Sequence, residues 1–157
     1  MTDTRILLMR HSEKTGDPMD PHLSLDGYAR AEKLTDYIPA TFGQPQFLVA
    51  SSISKGSIRS IETMKPLSEK IGVPIDATAA DRDYGALASR LLSEPHYAGT
   101  LIVICWHHAN IPSLAQALGA KSGSYPDPWD PQVFNLILEL TYVDDTEPDV
   151  KTLVEPF

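Results

Sequence analysis

Three short, unbroken apolar runs, residues 6–9, 47–50 and 101–106, constrain this chain more than any other feature. Each has the length of a strand, and none alternates polar with apolar residues as a strand with one wetted face does. Both faces of each run must therefore be covered. Helical signals fall between the runs. "LSLDGYARAEKLTDYI" places Tyr28, Ala31, Leu34 and Ile38 on one helical face, with Ser24 at the capping position. "SIRSIETMKPLSEKIG" aligns Ile58, Ile61, Met64, Leu67 and Ile71 and stops at Gly72, with Pro66 as a candidate kink or break. "VPI" reads as a brief strand and residues 84–92 as a further helix. Asn110, Pro112 and Gly119 mark the cap, first turn and stop of the next helix. "VFNLILELTYV" reads as a last strand, and "DDTEPDVKTLVEPF" as a polar tail that orders only in part. The expected fold is α/β, a three-layer α/β/α sandwich with a mainly parallel central sheet. No repeat or linker divides the chain, so residues 1–143 are expected to form one domain and residues 144–157 the tail.

In sheets of this kind ligands bind beyond the carboxyl ends of the strands. Arg10 and His11 leave the first apolar run there, and His107 and His108 leave the run at 101–106. Arg59 lies near the start of a helix, and the helix capped by Asn110 offers free N–H groups next to His108. Guanidinium groups bind phosphate oxygens in pairs, so these residues describe a phosphate cradle. The cradle's charge has to be local: 13 Lys+Arg against 21 Asp+Glu give a net charge of −8 and a pI near 4.9. That balance argues against a nucleic-acid partner. The single cysteine, Cys105, sits in an apolar run as inert filler and points to a reducing compartment, with the cytoplasm as the default. No secretory pattern and no apolar stretch near 18 residues is present, so no membrane association is expected.

The motifs resemble those of the histidine phosphatases, the phosphoglycerate mutase-like superfamily, in a small form without a lid. Arg10-His11-Ser12-Glu13-Lys14 is similar to the "RHxEK" version of its first motif, with Ser12 where Gly or Ala is usual. Leu23-Ser24-Leu25-Asp26-Gly27 with Ala31 matches "L-[ST]-x-x-G…A", and Arg59-Ser60-Ile61-Glu62-Thr63 matches "R-[AS]-x-x-T". "SSISKGSIR" carries more residues before Arg59 than the common "S-x-L-x-R". "DRDYG" is similar to "E-x-x-[FY]-G", with Asp81 in place of Glu, and His108-Ala109-Asn110 resembles the second-histidine motif. The likeness spans about residues 5–140.

The resemblance implies a phosphatase acting on a phosphomonoester or a phosphorylated protein side chain through a phosphohistidine intermediate, without metal or other cofactor. His11 would attack phosphorus through a neutral ring nitrogen, its other nitrogen donating to a carbonyl. Arg10, Arg59 and His108 would surround the phosphoryl oxygens, and either Asp81 or Glu13 would protonate the leaving oxygen. Successive strand residues alternate, so His107 and His108 cannot both face the site along a continuing strand; the H-A-N match favours His108 and leaves His107 a packing role. Lys14 reads as a surface charge. Trp106 and Trp129 read as core or pocket wall. Three other readings stay in view: a non-catalytic phosphate- or phosphopeptide-binding module; a phosphoglycerate-type mutase, disfavoured because no insertion supplies a lid; and a metal site from His11, Glu13, His107 and His108, which lacks any helix-borne HExxH spacing. The partner is a phosphorylated small molecule or a phosphoprotein, and oligomeric state has no signature in the sequence.

Overall fold

A computed structural model describes residues 3–144 and 147–157. Among these residues, six strands form one sheet in the order β3-β2-β4-β1-β5-β6. They are β1 (Arg5–Arg10), β2 (Phe47–Ala50), β3 (Ile75–Asp76), β4 (Leu101–Trp106), β5 (Leu136–Thr141) and β6 (Asp149–Val154). The pairings β1–β4, β2–β4 and β2–β3 are parallel, whereas β1–β5 and β5–β6 are antiparallel. The helices are α1 (Leu25–Phe42), α2 (Arg59–Ile71), α3 (Tyr84–Ser93) and α4 (Ile111–Ala117).

The alternation of side chains along buried strands explains the layering. Leu7 and Met9 of β1 and Val103 and Cys105 of β4 face Leu34, Ile38, Met64 and Leu67 of α1 and α2. Ile6, Leu8, Ile102, Ile104 and Trp106 face the opposite way, onto Leu87, Leu91, Ile111 and Leu114 of α3 and α4. Uninterrupted apolar runs thus feed two cores at once, and the result is the expected three-layer α/β/α sandwich with a mostly parallel sheet. Ser24 caps α1 by accepting from the Gly27 N–H. Helix α2 continues through Pro66 without a break. Among the described residues, no helix is long and apolar enough to cross a membrane.

The tail is a correction. Residues 149–154 pair with β5 along their whole length as the edge strand β6, because Val150 and Leu153 can each rest on one of the two cores while the intervening polar residues stay wet. Asp145 and Thr146, in the same segment, lie outside the described residues.

Candidate active site

Strands β1, β2 and β4 end together, and the loops that leave them enclose a cavity of about 460 Å³. Its buried floor includes Arg10, His11, Ser57 and Arg59; Asp81, His107 and His108 form part of its wall, and Lys14, Gly56, Arg82 and Ala109 are exposed at its mouth. Sequence positions separated by almost a hundred residues therefore converge on one pocket.

The first motif is built as a clamp. The Glu13 carbonyl accepts hydrogen bonds from the Ser24 N–H (2.9 Å) and hydroxyl (3.2 Å). Gly27, in the first turn of α1, packs so closely on that carbonyl that a Cβ there would stand 2.2 Å from its oxygen, which is why the motif needs glycine. On the other side, the Ser12 N–H donates to Thr63 Oγ1 (2.9 Å), which donates onward to the Arg59 carbonyl (2.8 Å). The three motifs thus lock one another, and their shared product is the position of His11.

The His11 ring is 2% exposed, and its Nδ1 lies 2.7 Å from the Ser12 carbonyl. A carbonyl can only accept, so Nδ1 carries the proton and Nε2 keeps its lone pair. Burial, with Arg10, His107 and Arg59 adding repulsion against the hydrogen bond to Ser12, pushes its pKa down to about 3. The imidazole is neutral at every physiological pH. Arg10 is buried with its guanidinium 3.9 Å over the Phe134 ring, and Nη1 donates to the Pro131 carbonyl. Burial and neighbouring Arg59 lower its pKa to about 10, so it stays charged near neutrality. Arg59 is held by the carbonyls of Asp20 and His22. The extra residues before it are pinched off: Ser54 and Ser57 exchange backbone hydrogen bonds as an isolated bridge, and the chain returns to α2 with Arg59 on the pocket.

The second histidine against His11 is His107, whereas His108, the one that the motif match favours, lines the cavity farther out. In the parallel register Arg10 lies opposite Trp106, and the His11 N–H still donates to the Trp106 carbonyl. His11 and His107 are therefore the next pair, both continuing the face of Met9 and Cys105, and their rings meet edge-on at 5.3 Å. Burial lowers the pKa of His107. His108 has turned into a short 3₁₀ segment and lines the outer wall, its pKa lowered by burial and then by Arg10 and Lys14.

The two candidate acids separate just as clearly. Glu13 points away from the cavity and binds Arg30 with both oxygens, at 2.9 and 3.1 Å. Arg30 also holds Glu155 and the Phe157 carbonyl, so Glu13 anchors the loop and does not line the cavity. Asp81 lines the cavity. Its carbonyl accepts from Trp106 Nε1 (3.0 Å), and its Oδ2 accepts from Asn110 Nδ2 (2.8 Å), which is the work Asn110 does instead of capping α4. Among the described residues, three buried side-chain polar atoms have no partner: Arg10 Nε, Ser12 Oγ and Asp81 Oδ1. Arg10 and Asp81 line the cavity and Ser12 follows His11 in the chain, and a catalytic role is one of the reasons for which a folded protein leaves such atoms without a partner. With Glu13 committed to Arg30, the metal set weighed from sequence does not assemble, and among the described residues no other group of His, Cys, Asp or Glu forms a metal cluster.

Sequence reasoning does not reach Lys14 and Arg82 as pocket residues, nor the Asn110–Asp81 pair. The adjacency of Arg82 to Asp81 in "DRDYG" is the one signal that could have drawn attention to it.

No protein-family model matches the sequence, and comparison with curated proteins gives no match. Solved structures do match. The protein histidine phosphatase SixA, complexed with tungstate, superposes with a TM-score of 0.71 over 96% of each chain at 10% identity. The chain has the histidine phosphatase fold. A mycobacterial glucosyl-3-phosphoglycerate phosphatase gives a TM-score of 0.63 at 16% identity, covering 97% of this chain and 98% of its own. At these identities the histidine phosphatase likeness is one of fold, and residue roles rest on the geometry described above.

Proposed function

We propose that this chain is a phosphatase that hydrolyses a phosphomonoester, on a small molecule or a protein side chain, through a phosphohistidine at His11. The observation that carries this reading is the His11 ring itself. It is buried and neutral, its proton is fixed on Nδ1 by the Ser12 carbonyl, and it lies beside two guanidiniums and a second imidazole. An imidazole buried only for packing has no need of two arginines at its edge.

In the first step the Nε2 lone pair forms the N–P bond while the P–O bond to the leaving group breaks, its electron pair going to the leaving oxygen. Asp81 delivers a proton to that oxygen. Its Oδ2 is occupied as an acceptor by Asn110, so Oδ1 is the atom that carries the transferable proton. Arg10, Arg59 and His107 neutralise the charge on the transferring oxygens, with His107 in the role that sequence alone gives to His108. In the second step water attacks phosphorus, Asp81 accepts its proton, and the N–P electron pair returns to Nε2. The guanidiniums supply the positive charge that a metal supplies elsewhere.

The test is to quench the enzyme during turnover of radiolabelled phenyl phosphate. An acid-labile, base-stable phosphoryl group on His11, abolished in His11→Asn, is expected. Phosphate binding without turnover would instead support the non-catalytic module, and a label on another residue would overturn the assignment.

A further inference from the structure

The cavity holds more positive charge than one phosphoryl group requires. Arg10 and Arg59 lie at its floor, while Lys14 and Arg82 are exposed at its mouth. Asp81 carries the one carboxylate among its described lining residues. A phosphomonoester brings a charge of about −1.5 to −2 near neutral pH, which two guanidiniums balance. The two cations at the mouth are then left over. Outside the cavity, Arg5, Arg30, Lys70 and Arg90 form ion pairs, whereas Lys33, Lys55, Lys65, Lys121 and Lys151 form none among the described residues, so what sets the cavity's cations apart is that they gather in one place. Among the described residues, neither Lys14 nor Arg82 forms an ion pair. Four of the 13 Lys+Arg thus gather on one pocket of a chain with net charge −8.

Position says which part of a substrate these cations meet. Arg82 adjoins Asp81, the residue placed to protonate the leaving oxygen, so it stands beside the departing group rather than the transferring one. Lys14 is three residues beyond His11, its backbone fixed by a bridge to Leu23, with its side chain free in solvent. We infer, resting on the phosphatase reading above, that the substrate's leaving group bears a second anion, a carboxylate or another phosphate, received by Lys14 and Arg82. An overall acidic protein repels such a substrate at long range, so this local pair also provides the attraction that brings it in.

Matched substrates test this. Phenyl phosphate is compared with 3-carboxyphenyl phosphate, and a phosphoserine peptide flanked by alanines with one flanked by glutamates, at low and high salt. The member with the added carboxylate should show a kcat/KM about tenfold higher in at least one pair, and the preference should shrink as salt screens it. It should vanish in Lys14→Ala/Arg82→Ala and reverse in Lys14→Glu/Arg82→Glu, both exposed positions where folding is not at stake. A preference confined to the aryl pair identifies a small phosphorylated acid, and one confined to the peptides an acidic protein segment. Turnover of phenyl phosphate with no preference in either pair overturns this inference and leaves the phosphatase reading standing. Absence of turnover throughout overturns the phosphatase reading itself.

Discussion

Replacing Asp81 with Asn changes one property of the site. The Asn side chain is isosteric, and its amide oxygen can accept from Asn110 where Asp81 Oδ2 now does. Its NH₂ then stands where Oδ1 stands, in the same place but with no proton to give. General acid catalysis contributes about 10²–10⁴ in rate, or roughly 3–5 kcal/mol of barrier, and an alkyl leaving group needs all of it. A 2,4-dinitrophenolate leaves without a proton. For Asp81→Asn, kcat/KM, which reports the first half-reaction, should therefore fall by about 10²–10⁴ with an alkyl phosphate and by less than about tenfold with 2,4-dinitrophenyl phosphate. Because Asp81 also activates water in the second step, stopped-flow absorbance should show a burst approaching one dinitrophenolate per enzyme. Glu13→Gln supplies the contrast. It breaks the two-oxygen contact with Arg30 and should lower stability by about 1–3 kcal/mol in denaturant unfolding, without any dependence on the leaving group. Equal losses of Asp81→Asn on both substrates, or a leaving-group effect in Glu13→Gln, would refute the assignment of the acid.

The His11 ring should be visible in histidine NMR spectra as the Nδ1–H tautomer, about 99% neutral at pH 5, where an ordinary imidazole would be about 3% neutral. A titration centred near 6.5 would remove the basis for a buried neutral nucleophile. His107→Ala should reduce kcat by about 10²–10³ and His108→Ala by much less, and the reverse order would restore the sequence assignment. Burial outweighs the Arg30 attraction, which is shared with Glu13, and holds the Glu155 carboxyl up at about 7 from an ordinary 4.5. A folded pKa above the unfolded one means that the protonated form favours folding. Its contribution is present in full below about pH 4.5 and is lost as pH rises through 7, on the order of 3 kcal/mol. Unfolding of Glu155→Gln followed by circular dichroism across that window should lack this slope, and an unchanged slope would count against it.

The strands and helix faces are legible because an unbroken apolar run has one use in a chain of this size, burial on both sides. Strand β6 is less so. Val150 and Leu153 give it only two inward contacts, and its polar residues look like a tail until β5 offers them a partner. The motifs name the right neighbourhood because they brace one another: Gly27 and Thr63 both press on the loop that carries His11, and the Arg59 carbonyl holds Thr63 in place. The choices that sequence cannot make are the ones set by long-range geometry. That His107 rather than His108 packs on His11 follows from the register between β1 and β4, which no local pattern encodes. That Asp81 lines the cavity and Glu13 does not follows from Arg30, 17 residues beyond Glu13, together with Glu155 near the other end of the chain.

The Ser54–Ser57 bridge separates two jobs that a single loop would otherwise have to perform. Because the crossing is closed at its base, residues can be added at its two-residue tip, Lys55–Gly56, without shifting the guanidinium of Arg59. A wall of the cavity is thereby open to grafting, and selectivity for the departing group could be re-engineered there while the apparatus that moves phosphorus stays in register.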